Sequence, residues 1–86
     1  MSETNLGYHT VEIPKGEFGK ATKIFEEFHE FKDALQQNNP IMALQELSDL
    51  IGAIEGYTLN TYNISLEDLL TMKQVTEKVF ITGYRK

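Results

Sequence analysis

Hydrophobic residues recur at helical spacing from about residue 17 onward. At about 100° per residue, the first such segment presents one narrow apolar face, formed by Ala21, Ile24, Phe28, Phe31 and Leu35. This pattern predicts a first helix over residues 17–37. The sequence QNNP then breaks the helical pattern.

Capping residues predict where two further helices begin. Asn39 suits the N-cap position of a second helix, and Pro40 suits its first turn. We expect this helix to end at Gly56, because glycine commonly follows a helix C-terminus, and we expect residues 57–63 to form a loop. Ser65, with Asp68 three residues on, opens a third helix that ends near Thr82.

The two ends of the chain differ from this helical core, which spans residues 17–82. Residues 1–16 are predicted to form an extended N-terminal arm, in which the segment YHTVEI is either a short strand or extended chain before Pro14 and Gly16. Residues 83–86 form a basic tail. The expected fold is therefore all-α, with one domain over residues 1–86 built from an antiparallel helix hairpin and a third helix.

Composition excludes several classes of function. The chain has 86 residues, no cysteine and a net charge of −5. Disulfides, zinc–thiolate sites and cysteine catalysis are therefore excluded. We expect no nucleic-acid partner, because an acidic chain binds backbone phosphates poorly. No apolar run approaches the ~18 residues of a membrane span, so we expect a cytoplasmic protein without a membrane partner.

The second helix places carboxylates where leucine would be expected. Its broad apolar face is formed by Met42, Ala43, Leu44, Leu47, Leu50, Ile51, Ala53 and Ile54. Glu46 falls inside this face, and Asp49 lies on its edge. A carboxylate among apolar neighbours is costly unless it is paired or bound to a metal. One buried carboxylate is explained by an ion pair in the core, but two that are three residues apart indicate a functional site.

The first helix carries acidic residues of two kinds. Glu27 and Glu30 share a strip beside the apolar face with Lys20 and Lys23, where an ion pair between Lys23 and Glu27 is the simplest interpretation. Glu26 projects nearly opposite the apolar face, and we expect it to be a solvated charge.

Folding the hairpin brings the acidic residues of both helices together. With the turn centred on Asn38, Glu30 and Glu46 lie equally far from it, and so do Glu27 and Asp49. All four should therefore meet in one layer, roughly 12–16 Å from the turn at 1.5 Å per residue. Close carboxylates repel, and a hard cation such as Mg²⁺ or Mn²⁺ relieves the repulsion. The alternative is a network bridged by lysine, with Lys20, Lys23 and Lys73 as candidates.

The segments EEFHE and ELSD resemble a known pair of motifs. In this order on a helix hairpin they are similar to the E-E-x-x-E and E-x-x-D motifs of the all-α nucleoside triphosphate pyrophosphohydrolases. That superfamily includes MazG, the dimeric dUTPases and phosphoribosyl-ATP pyrophosphohydrolase. The resemblance covers about residues 20–82, and the short chain ending in VFITGYRK looks most like small MazG-like proteins encoded by phages.

The resemblance implies a metal-dependent enzyme. It would cleave a nucleoside triphosphate between the α- and β-phosphates, giving a monophosphate and pyrophosphate. The motif positions that match are Glu27, Glu30, Glu46 and Asp49, as metal ligands and catalytic residues. The family also implies a helical bundle completed by dimerisation, as a homodimer or a dimer of dimers. Many members of that superfamily carry a further helix or a longer C-terminal segment that helps form the base pocket, and we expect no counterpart within residues 1–86, which leaves the preferred base open.

Cationic side chains are needed to hold the outgoing phosphates. Lys73 is the first candidate, because the third helix places it within an apolar face, although a lysine snorkelling from the core edge fits equally well. Lys20 and Lys23 follow, and Arg85 is the weakest because it lies in the tail. His29 projects away from Glu27 and Glu30, so we expect an exposed histidine. His9 has no partner that the sequence identifies.

Two further functions compete with the enzyme. The same helical dimer could bind nucleotides or a partner protein without catalysis, as a sensor or adaptor. A purely structural bundle is the third possibility. It predicts no response to metal, and it predicts that replacing Glu46 by leucine is neutral or stabilising.

Overall fold

The chain folds into three α-helices. The computed structural model describes residues 9–82, with side chains through residue 77. Helix α1 spans Ala21–Gln36, α2 spans Pro40–Tyr62 and α3 spans Leu66–Thr82. No strand occurs within residues 9–82, so the all-α class is confirmed, and residues 9–13 are irregular rather than a strand. Residues 1–8 and the tail, with Arg85, lie outside the described range.

The turn between α1 and α2 has the predicted capping chemistry. The Asn39 side chain accepts a hydrogen bond of 3.1 Å from the Met42 amide, and Pro40 occupies the first turn of α2. Asn38 has a φ of 55°, a left-handed conformation that asparagine tolerates better than most residues. Helix α1 begins later than predicted, because residues 17–20 form a turn closed by a hydrogen bond from the Lys20 amide to the Glu17 carbonyl.

The Asn39 cap should contribute measurably to stability. We expect Asn39→Ala to lower the free energy of unfolding by about 1 kcal/mol, because the Met42 amide loses its acceptor. Urea denaturation followed by circular dichroism measures this change. Asn39→Asp is the matched comparison, because its carboxylate still accepts from the Met42 amide and should keep the native unfolding midpoint. If Asn39→Ala left the unfolding midpoint unchanged, the cap would contribute nothing.

The predicted end of α2 at Gly56 is wrong. The helix continues through residues 57–62, which were expected to form a loop, and it ends at Asn63 in a left-handed conformation with a φ of 59°. The amides of Asn63 and Ile64 return to carbonyls of the last helical turn. Gly56 has a packing role instead: a Cβ atom there would lie 2.5 Å from the ring of Phe18.

Helix α3 starts as predicted, but it is set apart from α1. The Ser65 hydroxyl accepts a hydrogen bond from the Asp68 amide. Among the described residues α3 approaches α2 and does not approach α1. Its apolar side chains Leu70, Met72 and Val75 are exposed. No helix in the described part of the chain combines the length and hydrophobicity needed to cross a membrane.

Helix α1 buries a different face from the one that its apolar residues predict. The small core of the hairpin consists of Ala34, Met42 and Ala43, with Phe31 packed against it. Phe28 and Leu35 are exposed. The strip that carries the carboxylates faces α2 instead. Apolar periodicity identifies the most hydrophobic stripe of a helix, but it does not determine which neighbouring surface that stripe contacts.

Residues 9–16 of the N-terminal arm fold back along α1. The Gly16 amide donates a 2.8 Å hydrogen bond to Glu26, and the Glu17 amide donates to the Thr22 hydroxyl. A Cβ atom on Gly16 would lie 2.2 Å from the Thr22 carbonyl oxygen. Because that neighbour is backbone and cannot move aside, this close approach requires glycine. The arm therefore reaches the same end of the hairpin as the carboxylates.

Candidate metal centre

Carboxylates from both helices of the hairpin meet in one layer, as the hairpin register predicts. Glu46 is completely buried, and Glu27 is 6% exposed. Oxygen atoms of Glu27, Glu46 and Asp49 all lie within 4.8 Å of one another. Asp49 remains exposed at the rim, where it accepts a hydrogen bond from Gln45. Glu46 is thus buried beside Met42 and Ala53 of the predicted apolar face, whereas Leu44, Leu47 and Ile51 of that face are exposed.

Glu30 joins this layer from the next turn of α1. It groups with Glu26 and Glu27 on its own helix, and with His9 and Glu46 across the hairpin. Burial, followed by a hydrogen bond to Glu46 and the nearby charge of Glu27, raises the pKa of Glu30 to about 8. At neutral pH, burial and the neighbouring carboxylates therefore favour the protonated form of Glu30. A bound cation would reverse this effect, because it favours the charged form.

The prediction that Glu26 is a solvated charge is wrong. Its side chain is 3% exposed and accepts hydrogen bonds of 2.8 Å from the Gly16 amide and 3.1 Å from Lys23 Nζ. Burial disfavours its charge, but these two donors outweigh burial and lower the pKa of Glu26. The arm supplies the surface that buries it. A helical wheel of α1 alone contains no information about that surface.

His9 also has partners, contrary to the sequence expectation. Its Nδ1 atom lies 2.9 Å from Asp33 Oδ2, and its Nε2 atom lies 3.4 Å from Glu46 Oε2 and 3.8 Å from Glu30 Oε1. Asp33 is 2% exposed. It also accepts hydrogen bonds from the amide and hydroxyl of Thr10 and from Gln37. The arm is therefore fastened to α1 directly beside the carboxylate layer.

Positive charge near the layer is scarce within the described residues. Lys23 Nζ lies 3.1 Å from Glu26 and 3.2 Å from Glu27. Burial would lower the pKa of Lys23, but these two carboxylates outweigh it and raise the pKa. The second oxygen of Glu27, Oε1, is buried and has no hydrogen-bond partner among the described residues. A buried carboxylate oxygen of this kind, among several others, fits a hard divalent cation such as Mg²⁺.

The predicted phosphate-binding lysines are dispersed. Lys23 lies at the carboxylate layer, and Lys20 lies at the start of α1, where it lines an open groove with Phe18 and Asn60. Lys73 is exposed on α3 and forms a 3.0 Å ion pair with Glu77. The described part of α3 does not bring Lys73 to this layer. Their proposed role in binding phosphate remains a prediction.

The sequence analysis did not predict that His9 and Asp33 lie beside this layer, although the position of Asp33 could have been predicted. Asp33 lies on the same face of α1 as Glu26 and Glu30, so a helical wheel that followed acidic residues as well as apolar ones would have included it. His9 carried no such signal, because its position depends on how the arm folds back. His29 is exposed, and its ring lies 5.7 Å from the Phe28 ring, as expected for a surface histidine.

Known proteins provide no match for this arrangement. Comparison of the chain with models of protein families, with curated proteins and with solved structures finds nothing similar.

Proposed function

We propose that this protein is a metal-dependent nucleoside triphosphate pyrophosphohydrolase that releases a nucleoside monophosphate and pyrophosphate. The observation that carries the proposal is the carboxylate layer: Glu27, Glu30, Glu46 and Asp49 come together from two paired helices, with Glu46 completely buried. Burial of this much like charge is costly in a structural bundle. The resemblance of these same four residues to the pyrophosphohydrolase motifs supports the choice of reaction.

The four carboxylates would hold Mg²⁺, and Mn²⁺ could replace it because both ions accept oxygen ligands. When bound, such an ion neutralises charge on a triphosphate and makes the α-phosphorus more susceptible to water. Glu27, Glu30, Glu46 and Asp49 would hold such an ion, and a carboxylate at the rim would accept the proton of the attacking water. Asp49 suits that role best, because it is exposed.

Cationic groups would hold the triphosphate beside this layer. Lys23 is closest, since its ammonium group already lies within 3.2 Å of Glu27. In that state Glu27 would bind the metal ion and Glu26 would keep its hydrogen bond from the Gly16 amide. The Lys23 Nζ atom would then donate to a phosphate oxygen. Lys20 projects from the same end of α1. Lys73 would serve only if another subunit delivers it, because α3 lies away from α1 within the described chain.

We further propose that the protein is a homodimer. Several apolar side chains of α1 and α2 are at least two-fifths exposed: Phe25, Phe28, Leu35, Ile41, Leu44, Ile51 and Leu59. Large exposed apolar patches mark interaction sites, and a helical spacing gathers the residues of each helix on one of its sides. The residues recur at helical spacing, so a second copy of the hairpin can cover them and complete a bundle.

A single charge among these apolar side chains should disrupt the dimer. We expect Leu44→Glu to convert a dimer to a monomer, because an unpaired carboxylate in an apolar interface is strongly unfavourable. Light scattering after size-exclusion chromatography measures the mass directly. Gln74→Glu adds the same charge to exposed α3 and should leave the dimer intact. A native protein that is monomeric at micromolar concentration would contradict the proposal.

The function is tested by product analysis. The protein is incubated with Mg²⁺ and each common ribo- and deoxyribonucleoside triphosphate, and the products are separated by anion-exchange chromatography. Monophosphate with pyrophosphate supports the proposal. Diphosphate with orthophosphate identifies a different bond and contradicts it. Nucleotide binding without turnover, detected by Mg²⁺-dependent thermal stabilisation, would instead indicate a sensor or adaptor.

A further inference from the structure

We propose that the groove between the turn before α1 and the second half of α2 binds the base of the nucleotide substrate, and that it favours a base with an exocyclic amino group. Phe18 is the stacking surface, and Asn60 is the polar contact. The inference rests on the proposed function, because it assigns the nucleoside end of the same substrate. None of the residues that line the groove belongs to the carboxylate layer.

The groove is formed where the turn before α1 meets α2. It is open, has a volume of about 840 Å³ and is lined from both segments by side chains that include Phe18, Lys20, Glu55 and Asn60. Asn60 Nδ2 donates a 2.9 Å hydrogen bond to the Gly19 carbonyl, which joins the two walls. Because this volume is typical of small-molecule sites, a planar base has room to enter.

Phe18 has the properties of a stacking surface. A Cβ atom on Gly56 would lie 2.5 Å from Phe18 Cζ, so the tip of the ring is held against the backbone of α2. The residue nevertheless remains 69% exposed. A base that stacks on an aromatic ring removes the apolar surface of both from water. Phe18 is therefore fixed in position and still available to a ligand.

The register of the hairpin places this groove on the same strip as the carboxylate layer. Lys20 lies seven residues before Glu27, and Gly56 lies seven residues after Asp49. Seven residues make nearly two helical turns, so the members of each pair share a side of the helix and lie about 10 Å apart. Both displacements lead away from the turn of the hairpin, because the helices are antiparallel. The ribose and α-phosphate of one nucleotide can span this separation.

The contacts around the layer determine the direction in which a nucleotide extends. Toward the turn of the hairpin, Asp33 accepts a hydrogen bond from the Thr10 amide, and the ring of His9 lies 2.9 Å from the same carboxylate. The arm therefore covers that end of the layer. Toward the groove lie Lys23 and then Lys20, whose positive charges suit phosphate oxygens. Phosphates bound at the layer would thus direct the ribose and base into the groove.

The polar lining of the groove favours a base that donates hydrogen bonds. Asn60 Nδ2 already donates to the Gly19 carbonyl, which leaves Asn60 Oδ1 as an acceptor. Glu17 and Glu55 add two carboxylates to the lining. Cytosine and adenine present an exocyclic amino group, which is a donor, whereas thymine and uracil present a carbonyl oxygen. We therefore expect an amino-bearing base to bind more tightly than uracil or thymine.

The first test measures binding without hydrolysis. Isothermal titration calorimetry in Mg²⁺ compares the α,β-methylene analogue of CTP, which has no cleavable α–β bond, with inorganic tripolyphosphate, which has no base. We expect the native protein to bind the analogue at least about 10-fold more tightly. Equal affinities would overturn the groove proposal while leaving phosphate binding at the layer intact. If neither compound bound, the groove proposal and the proposed function would both fail.

The second test changes the stacking surface. Phe18→Leu keeps an apolar side chain beside Gly56 but removes the ring, and we expect it to weaken binding of the analogue about 5–50-fold without weakening tripolyphosphate binding. Phe18→Tyr retains the ring and should bind both compounds like the native protein. Native affinity for the analogue in Phe18→Leu would exclude stacking. A lower mass of Phe18→Leu by light scattering would show that a second copy of the chain covers the groove, which would also overturn the proposal.

The third test examines the class of base. The α,β-methylene analogues of CTP and UTP differ at the C4 substituent, and we expect the native protein to bind the CTP analogue about 5-fold or more tightly than the UTP analogue. Asn60→Ala should remove most of this difference, and Gln74→Ala, which removes an exposed amide from α3, should preserve it. Equal or tighter binding of the UTP analogue by the native protein would overturn the assignment of an amino-bearing base.

Discussion

Glu46→Gln should lower the rate of nucleotide hydrolysis on the order of 100-fold or more. Glu46 is completely buried. It belongs both to the group with Glu27 and Asp49 and to the group with His9 and Glu30. Glutamine has nearly the same shape but no negative charge, so it preserves packing while removing the ligand that both groups share. The measurement is the rate of pyrophosphate release at saturating Mg²⁺ with the best substrate from the panel.

This variant also separates loss of chemistry from loss of fold. In the presence of a chelator, Glu46→Gln should remain folded, because glutamine fills the same space as glutamate and one charge is removed from a layer of like charges. Adding Mg²⁺ should then raise the melting temperature of the native protein but not that of the variant. Glu67→Gln, which neutralises an exposed carboxylate on α3, should behave like the native protein in both assays. Full activity in Glu46→Gln would exclude this layer as the active site.

The metal-free protein should become less stable as pH rises from about 5 to 8. The pKa of Glu30 in the folded chain is raised to about 8 from 4.5. Between these two values the folded state retains a proton that the unfolded state has lost. The free energy of unfolding therefore decreases with rising pH across this interval and levels off above it. Below about pH 4.5 both states are protonated, so this contribution to stability is fully present there.

The groups that face Glu30 explain the direction of the effect. Glu27 lies on the same helix, Glu46 lies across the hairpin, and His9 approaches from the arm. Once the Glu30 proton is lost, its charge adds to those of the neighbouring carboxylates. A bound cation cancels this repulsion. We therefore expect Mg²⁺ to raise the melting temperature by several degrees more at pH 8 than at pH 5.5.

Thermal unfolding in chelator between pH 5 and 9 measures this dependence. Glu30→Gln should flatten the pH profile, because glutamine neither binds nor releases a proton in this range. Glu12→Gln removes an exposed carboxylate from the arm and should keep the native profile. If the native protein and Glu30→Gln had parallel profiles, Glu30 would not be the group that titrates.

The hairpin and its carboxylate layer could be predicted from the chain because both follow from local rules. Asn39 and Pro40 determine where α2 begins, through a side-chain hydrogen bond and a fixed φ angle. The helical period places Glu46 among apolar residues, and equal distances from the turn bring it level with Glu30. These relations need only helix geometry and an antiparallel pair, so they hold without knowledge of any other contact.

Other features failed as predictions because they depend on contacts between segments distant in sequence. Glycine commonly follows a helix, so Gly56 was expected to end α2, but the helix continues to Tyr62. The Phe18 ring packs where a Cβ atom on Gly56 would lie. Glu26 is polar on a helical wheel, yet the Gly16 amide binds it and the arm buries it. Local rules contain neither the Phe18 contact nor the path of the arm, so they predict neither feature.

The amino-acid sequence by itself determined the all-α class, the start of α2, and the meeting of Glu27, Glu30, Glu46 and Asp49 in one layer, since these depend on periodicity and capping. Only the tertiary structure decided that α1 faces α2 with its acidic strip while Phe28 and Leu35 stay exposed. It also brought His9 and Asp33 to that layer. The reason is physical: the path of the arm is set by hydrogen bonds to buried carboxylates, and no periodic pattern encodes them.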